Sequence, residues 1–290
     1  MNTAILFDYN EIKENCDFRL IDQRTVDISV IIPVFGRLQF HNIVIKSIKN
    51  AIEHIQNKNF SKSVSITIIE HSDDAEHLEL CSQKTNYIWL PKYGGVFNKS
   101  LAQNVGAIFS NRATHYLFHD IDTVVPKDFF EKLFLNINWK ACNYDALQCF
   151  TNRRLLYANQ YITDRILRGV ENVDNLHSKH ENVTIGGSGA KGGSMLIDAS
   201  LFFRCGAYFE NYTEYGVEDA DLYDRLNIMG KLGGADAPPI ELIHLWHKPS
   251  YNRITKASDF NFFELFSNMK NIDKLKYMDM RCKHLIKFLE

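Results

Sequence analysis

"THYLFHDID", residues 114–122, is an apolar run that ends in two acids, Asp120 and Asp122. Aromatic and β-branched residues between polar flanks read as a strand. Acids at the end of a buried strand are costly unless something pairs with them. Working outward, "DISVIIPVF" (27–35) is a continuous β-branched run, the pattern of a strand covered on both faces. "SVSITIIE" (63–70), "YIWL" (87–90) and "DALQCF" (145–150) repeat the signal. Helical patterns lie between them, from Leu38 to Ile55 and over "NKSLAQNVGAIFS" (98–110) and "KDFFEKLFLNI" (127–137). The alternation predicts an α/β domain with a mostly parallel central sheet flanked by helices. Such sheets bind ligands at the carboxyl ends of their strands, which is where Asp120 and Asp122 fall. On a strand, residues i and i+2 project to one side. Two carboxylates so placed suit Mg²⁺ or Mn²⁺ with a phosphate partner.

The second half is less regular. Residues 151–185 are polar, carry few strand signals and read as a long excursion or a mobile loop. "GGSGAKGG" (186–193) has five glycines in eight residues, which makes a flexible turn or a close backbone approach to a ligand. "SMLIDASLF" (194–202), a helix over 218–229 and a strand at "IELIHLW" (240–246) follow. The expected organisation is a polar lead-in (1–26), a catalytic domain (27–250, with halves 27–150 and 151–250) and a helical tail (251–290).

Hydrophobic residues at 45% and charged residues at 23% over 290 positions describe a globular chain with a sizeable core. A net charge of −2 excludes bulk nucleic-acid binding. The six cysteines form no CxxC pair, which argues against a zinc knuckle and for free thiols in a reducing compartment. There is no signal-peptide pattern and no run of about 18 apolar residues. Cytoplasmic residence is the expectation.

"YGVEDADLYDRL" (215–226) gathers Glu218, Asp219, Asp221 and Asp224. Leu222, Leu226 and Met229 make the buried stripe. Asp221 and Arg225, at i and i+4, read as a surface ion pair worth a few tenths of a kcal/mol, and Asp224 as solvated. Glu218 and Asp219 open the helix. They either cap it and complement its dipole or present a carboxylate fixed in orientation, able to act as a general base. In "HLWH" (244–247), His244 and His247 share a face only if the chain leaves the strand there. Nitrogen ligands beside a carboxylate favour Mn²⁺ over Ca²⁺.

Taken together, these segments resemble the GT-A glycosyltransferases, most of all the β-1,4-galactosyltransferase family and its bacterial relatives. "IIPVFGR" resembles the opening strand and Pro-x-x-x-Arg nucleotide loop, and "FNKSLAQNVG" the Phe-Asn-Arg helix ending in Asn-Val-Gly. "YLFHDIDTVVP" resembles the Asp-Val-Asp strand, "KGGSMLI" the donor loop, "EYGVEDADLYDRL" the Trp-Gly-Gly-Glu-Asp-Asp-Asp helix start, and "IHLWH" the metal segment. The match runs over residues 27–250.

The resemblance implies a Rossmann-like nucleotide-diphospho-sugar transferase fold, a UDP-sugar donor, a saccharide or glycolipid acceptor, and Mn²⁺ or Mg²⁺. It implies inverting transfer of a hexose or N-acetylhexosamine in surface polysaccharide or glycolipid assembly. By the same matches Asp219 is the catalytic base, and Glu218 and Tyr215 bind the acceptor. Asp122, His244 and His247 bind the metal. Pro33, Arg37, Phe97, Lys99, Asp120, Ala190, Gly192 and Gly193 bind the donor, with Arg37 and Phe97 about the nucleotide base and Lys99 near the diphosphate. Tyr215 replaces the family's tryptophan. Ala190 leaves room for an N-acetylated donor such as UDP-GalNAc or UDP-GlcNAc. The sequence shows no match to the long disulfide-bearing stem of the family's animal members, and the expectation is a cytoplasmic bacterial enzyme.

The rivals are a retaining GT-A N-acetylgalactosaminyltransferase-like enzyme, a nucleotidyltransferase, and a non-catalytic sugar- or nucleotide-binding module. The nucleotidyltransferase would need a glycine-rich loop that "PVFGRLQF" does not supply. The phenylalanines and lysines of the C-terminal tail suit packing on the catalytic domain or peripheral contact with a membrane.

Overall fold

In the computed structural model, β-branched residues line the second strand of the chain, and all of its nine residues except Asp27 are buried. The structure describes residues 6–20, 24–82, 84–93, 95–136, 149–150, 153–186, 192–213, 217–229, 232–233, 240–248 and 257–289. In chain order the elements are α1 (Tyr9–Glu14), β1 (Asp17–Arg19), β2 (Val26–Val34), α2 (Leu38–Asn57), β3 (Val64–Ser72), β4 (Asn86–Pro91), α3 (Lys99–Phe109), β5 (Ala113–His119), β6 (Thr123–Val124) and α4 (Phe129–Asn136). Then come β7 (Cys149–Phe150), β8 (Arg153–Ala158), α5 (Gln160–Leu167), β9 (Val183–Ile185), β10 (Ser194–Asp198), α6 (Ala199–Arg204), α7 (Glu218–Ile228), β11 (Leu232–Gly233), β12 (Ile240–His244), α8 (Ala257–Ser267) and α9 (Asn271–Leu285).

The main sheet has the order β1-β4-β3-β2-β5-β10-β7-β11. Its inner strands β4, β3, β2 and β5 are parallel, as the strand–helix alternation predicts. β1 runs antiparallel on β4, and β10 antiparallel between β5 and β7. Along β2 the side chains alternate between two cores. Ile28, Val30, Ile32 and Val34 pack with Phe40, Val44 and Ile48 of α2, whereas Ile31 packs with Leu101, Ala102 and Val105 of α3. Helix α3 lies close against the sheet because of Gly106, where a Cβ would come within 2.6 Å of Ile31 Cγ2.

Residues 153–185 are not an excursion. β8 pairs in parallel with β12, and β9 pairs antiparallel with β8, in a second sheet of order β6-β12-β8-β9. Leu155, Leu156 and Ala158 of β8 are buried, while Arg154 pairs with Glu241 of β12 at 3.0 Å. A polar outer face hid this strand, and its partner lies more than eighty residues away. Of "DALQCF", only Cys149–Phe150 fall within the described residues, as β7.

Both ends of the chain pack on the main sheet. The stretch expected as a polar lead-in contributes α1 and β1, and Tyr9 is fully buried with its hydroxyl donating to Glu210 at 2.5 Å. From the tail, Arg281 of α9 reaches the same carboxylate at 2.6 Å. Asn104 of α3 donates to it as well, at 2.6 Å. A buried carboxylate needs this degree of pairing. Cys16, Cys81, Cys205 and Cys282 are free thiols. Among the described residues no helix is long and apolar enough to cross a membrane.

Candidate functional site

β5 stops at His119, so Asp120 and Asp122 sit on the turn that follows, not on the strand. The Asp120 carbonyl accepts from Thr123 N–H at 3.1 Å and closes that turn. The same-side argument from strand pleating therefore does not hold. Asp120 reaches Lys99, and Asp122 reaches the histidines after β12. Backbone bonds fix both: Asp120 N–H donates to Gly193 O at 2.9 Å, and Leu245 N–H donates to Asp122 O at 2.8 Å.

Asp122 is 3% exposed. Its Oδ1 lies 3.6 Å from His244 Nε2 and its Oδ2 3.3 Å from His247 Nε2. The three residues each offer a ligand atom, all within 4.8 Å of one another. The chain leaves β12 at His244, so the two imidazoles share a side, with ring centres 5.3 Å apart. His247 Nδ1 lies 2.9 Å from Lys248 O, which leaves its Nε2 as the ligand nitrogen. Burial, and then the neighbouring His247, push His244 down to about 4. It is neutral at pH 7, the form a metal ligand must have. Asp122 Oδ1 is buried with no hydrogen-bond partner among the described residues. Such an orphaned oxygen is a cost that a cation would remove. One carboxylate and two imidazoles suit Mn²⁺ better than an all-oxygen cation, so these residues fit the metal.

Arg37, expected about the nucleotide base, turns to the metal-side acid. It opens α2 in the left-handed region (φ 59°), directly after Gly36 (φ 58°), and its guanidinium pairs with Asp122 Oδ2. The loop is tied down by His77, whose Nε2 lies 2.8 Å from Gly36 O.

The second cluster centres on Lys99, the first residue of α3. Asn98 caps that helix, its Oδ1 accepting from Leu101 N–H at 2.8 Å. Lys99 Nζ lies 3.0 Å from Asp120 Oδ1, 3.0 Å from Asp219 Oδ2 and 3.4 Å from Glu218 Oε1. Burial works against its charge, but Asp120, Asp219 and Glu218 outweigh it and hold the ammonium well above its ordinary value. Asp120 is likewise desolvated, yet Lys99 pulls it below the usual carboxylate range. Glu218, 4% exposed, is pushed up to about 7 by burial first and by Asp219 second. The residue at the cap position is Val217, with no side-chain bond; Glu218 and Asp219 stand in the first turn, where they complement the helix dipole, and turn their carboxylates to Lys99.

Gly192 and Gly193 close the wall opposite. A Cβ at Gly192 would strike Asp219 Oδ2, and Gly193 adopts φ +89°. Tyr208, which no sequence pattern singles out, donates its hydroxyl to Asp219 Oδ1 at 3.3 Å.

The Asp221–Arg225 pair forms as its spacing predicts, but in the interior. Arg225 is 0% and Asp221 1% exposed, with Nη2 to Oδ2 at 2.7 Å. Arg225 Nη1 also donates to the carbonyls of Cys205 and Ala207, and its guanidinium lies 3.7 Å from the Phe209 ring centre. These partners come from the segment after α6, which i,i+4 spacing cannot reveal. Asp224 is exposed, as expected.

Phe97 stacks on Phe35 with ring centres 5.5 Å apart and planes 12° from parallel. His71 flanks Phe97, and Lys92 lies over Phe35 at 5.7 Å. Phe35, not singled out from the sequence, is 38% exposed, so the aromatic pair reaches solvent. Pro33 is buried within β2, opposite Ile69. Tyr215 and Ala190 lie outside the described residues.

No family model and no curated protein matches this chain. Solved structures to which it is similar include the catalytic domain of Drosophila β1,4-galactosyltransferase 7 in complex with xylobiose. That likeness is at 12% identity and a TM-score of 0.49, covering 86% of this chain and 83% of the other. S. aureus TarS (1–349) is similar at 13% identity and a TM-score of 0.46, covering 90% and 71%. GalNAc-T7 with UDP, GalNAc and Mn²⁺ is similar at 14% identity and a TM-score of 0.49, covering 87% and 50%. At such identities and TM-scores these likenesses carry no chemistry across, and the case for a function rests on the site residues.

Proposed function

We propose that this chain is a metal-dependent GT-A-type glycosyltransferase. It would move a hexose or N-acetylhexosamine, with inversion, from a UDP-sugar to a saccharide acceptor in surface polysaccharide or glycolipid assembly. The observation that carries the proposal is the meeting, just beyond the carboxyl end of β5, of two clusters. One is Asp122, His244 and His247, able to hold a cation. The other is Asp120, Glu218 and Asp219 around Lys99. Asp120, Asp122 and Asp219, with Glu218 beside them, against Lys99 and Arg37 leave a deficit of positive charge that a divalent ion offsets.

In this reading Asp122, His244 and His247 hold Mn²⁺ or Mg²⁺, which when bound offsets the charge developing on the departing diphosphate. Asp219 takes the proton from the acceptor hydroxyl as that oxygen bonds to the anomeric carbon. The bond to the diphosphate oxygen breaks, and its electron pair leaves with UDP. Lys99 Nζ, 3.0 Å from Asp219 Oδ2, holds the carboxylate in place, and a positioned base of this kind contributes roughly 10²–10⁴-fold. Glu218 lies beside the base, where it can bind the acceptor. Phe35 and Phe97 offer their face to the uracil ring. Gly192 and Gly193 let the backbone approach the donor sugar.

Met278, Arg281 and Leu285 anchor α9 to the rest of the chain, whereas Leu265 and Ile272 point outward. Those outward side chains and the nearby lysines suit peripheral contact, on the cytoplasmic side, with a membrane carrying a lipid-linked acceptor.

The test is hydrolysis of UDP-galactose, UDP-glucose and their N-acetyl forms with Mn²⁺, with and without chelator. Turnover of one donor only with metal is the expected result. Absence of both binding and turnover for every donor would overturn the proposal. The anomeric configuration of a transfer product separates inversion from the retaining alternative.

A further inference from the structure

We infer that Tyr208 is a positioning residue for Asp219, setting the direction of that carboxylate; the inference rests on the function proposed above. Asp219 is held by its two oxygens from opposite sides. Oδ2 faces Lys99 Nζ at 3.0 Å, and Oδ1 accepts from the Tyr208 hydroxyl at 3.3 Å. The space on the Oδ2 side is open only because residue 192 is glycine. A carboxylate gripped at both oxygens, with a wall against one of them, has little freedom about its side-chain torsions. That is the preorganisation a base needs to meet a hydroxyl in line with the anomeric carbon.

The phenol is itself rigid. Tyr208 is 0% exposed. Its ring stands edge-on to Phe118, with centres 5.1 Å apart, and packs on Phe202 at 5.8 Å. Its backbone is clamped: Asn104 Oδ1 accepts from Tyr208 N–H at 3.1 Å, and Asn104 Nδ2 and Arg281 both donate to Tyr208 O at 2.9 Å. The chain reaches this position through two left-handed residues, Gly206 (φ 85°) and Ala207 (φ 54°). The hydroxyl has one role open to it. Burial, and then Asp219, hold the phenol well above its ordinary value, so it stays protonated and donates.

The charged and titratable groups facing Asp219 are Lys99 from α3, Asp120 from the turn after β5, Glu218 from its own helix, and Tyr208. Removal of the Tyr208 hydroxyl takes the donor from Oδ1 and leaves the carboxylate held from the Lys99 side.

The test is Tyr208→Phe in the full chain, assayed with Mn²⁺ and whichever UDP-sugar the wild type hydrolyses. The expected result is a roughly ten-fold fall in kcat with KM for the donor unchanged. The melting midpoint should stay within a few degrees of wild type, and in an Asp219→Asn background the same substitution should change kcat by less than about two-fold. Wild-type kcat would overturn the inference. So would a loss of activity that tracks a lowered melting midpoint, or one that recurs in full in the Asp219→Asn background. A wild-type chain that hydrolyses no donor fails the functional proposal itself, a different and separately visible outcome.

Discussion

Asp219 Oδ2 occupies the space that a side chain at Gly192 would need. The glycine and the acid are therefore one device, built from two segments distant in sequence. Gly192→Ala should displace the carboxylate from Lys99 and lower turnover by roughly ten-fold or more, since small misplacements of a reacting group are costly. Rates and melting curves of this variant check it. Wild-type turnover would show that Asp219 can do its work from another position.

Asp219→Asn keeps the shape and removes the proton acceptor. Sugar transfer should fall by roughly 10²–10⁴-fold, while UDP binding measured by calorimetry stays near wild type. Transfer within a few-fold of wild type would take the role of base away from this residue.

Asp122→Ala removes the acid on which His244, His247 and Arg37 converge. Mn²⁺ affinity, read by calorimetry or electron paramagnetic resonance, should fall by more than about a hundred-fold, beyond what changes behind the ligands cost. An unchanged affinity would place the metal elsewhere.

Glu218 makes stability depend on pH. Its folded value of about 7 lies above the ordinary glutamate value of 4.5. The folded chain therefore binds more protons than the unfolded chain between those limits. The resulting stability is fully present below 4.5 and is lost as pH rises through about 7. In the presence of chelator, Glu218→Gln should flatten the fall in melting midpoint across that window. An unchanged slope would mean that Glu218 is ionised in the folded chain well below neutrality.

Arg225→Leu strips Asp221 of its charge partner in the interior and leaves the Cys205 and Ala207 carbonyls without a donor. Breaking a buried pair from one side costs about 3–5 kcal/mol. Denaturant unfolding should show a loss of that size, far above the few tenths of a kcal/mol of a surface pair.

The elements around the site were legible in the sequence because their signals are local. A β-branched run such as Val30–Val34 must be covered on both faces wherever it lies, and the 3.6-residue period of Leu38–Ile55 specifies an amphipathic helix without knowledge of its partner. The acids of "HDID" and "VEDADL", and the histidines of "HLWH", were likewise visible as residues needing partners. Which partner each would take was not visible. Lys99 and Asp219 are 120 positions apart, and Asp122 meets His244 and His247 only through the pairing of β6 with β12. The polar strand β8 was hidden because half its pattern comes from the face that answers Glu241, and Tyr208 looked like any core aromatic.

Side-chain chemistry and periodicity thus set the strands, the helices and the candidate acids before any folding. The tertiary structure alone decided that Asp120 and Asp122 part at a turn, that Arg225 is interior, and that Tyr208 faces Asp219. The physical reason is that the cost of burying a charge or a hydroxyl depends on the groups brought to it from elsewhere in the chain, and a linear pattern carries no record of them.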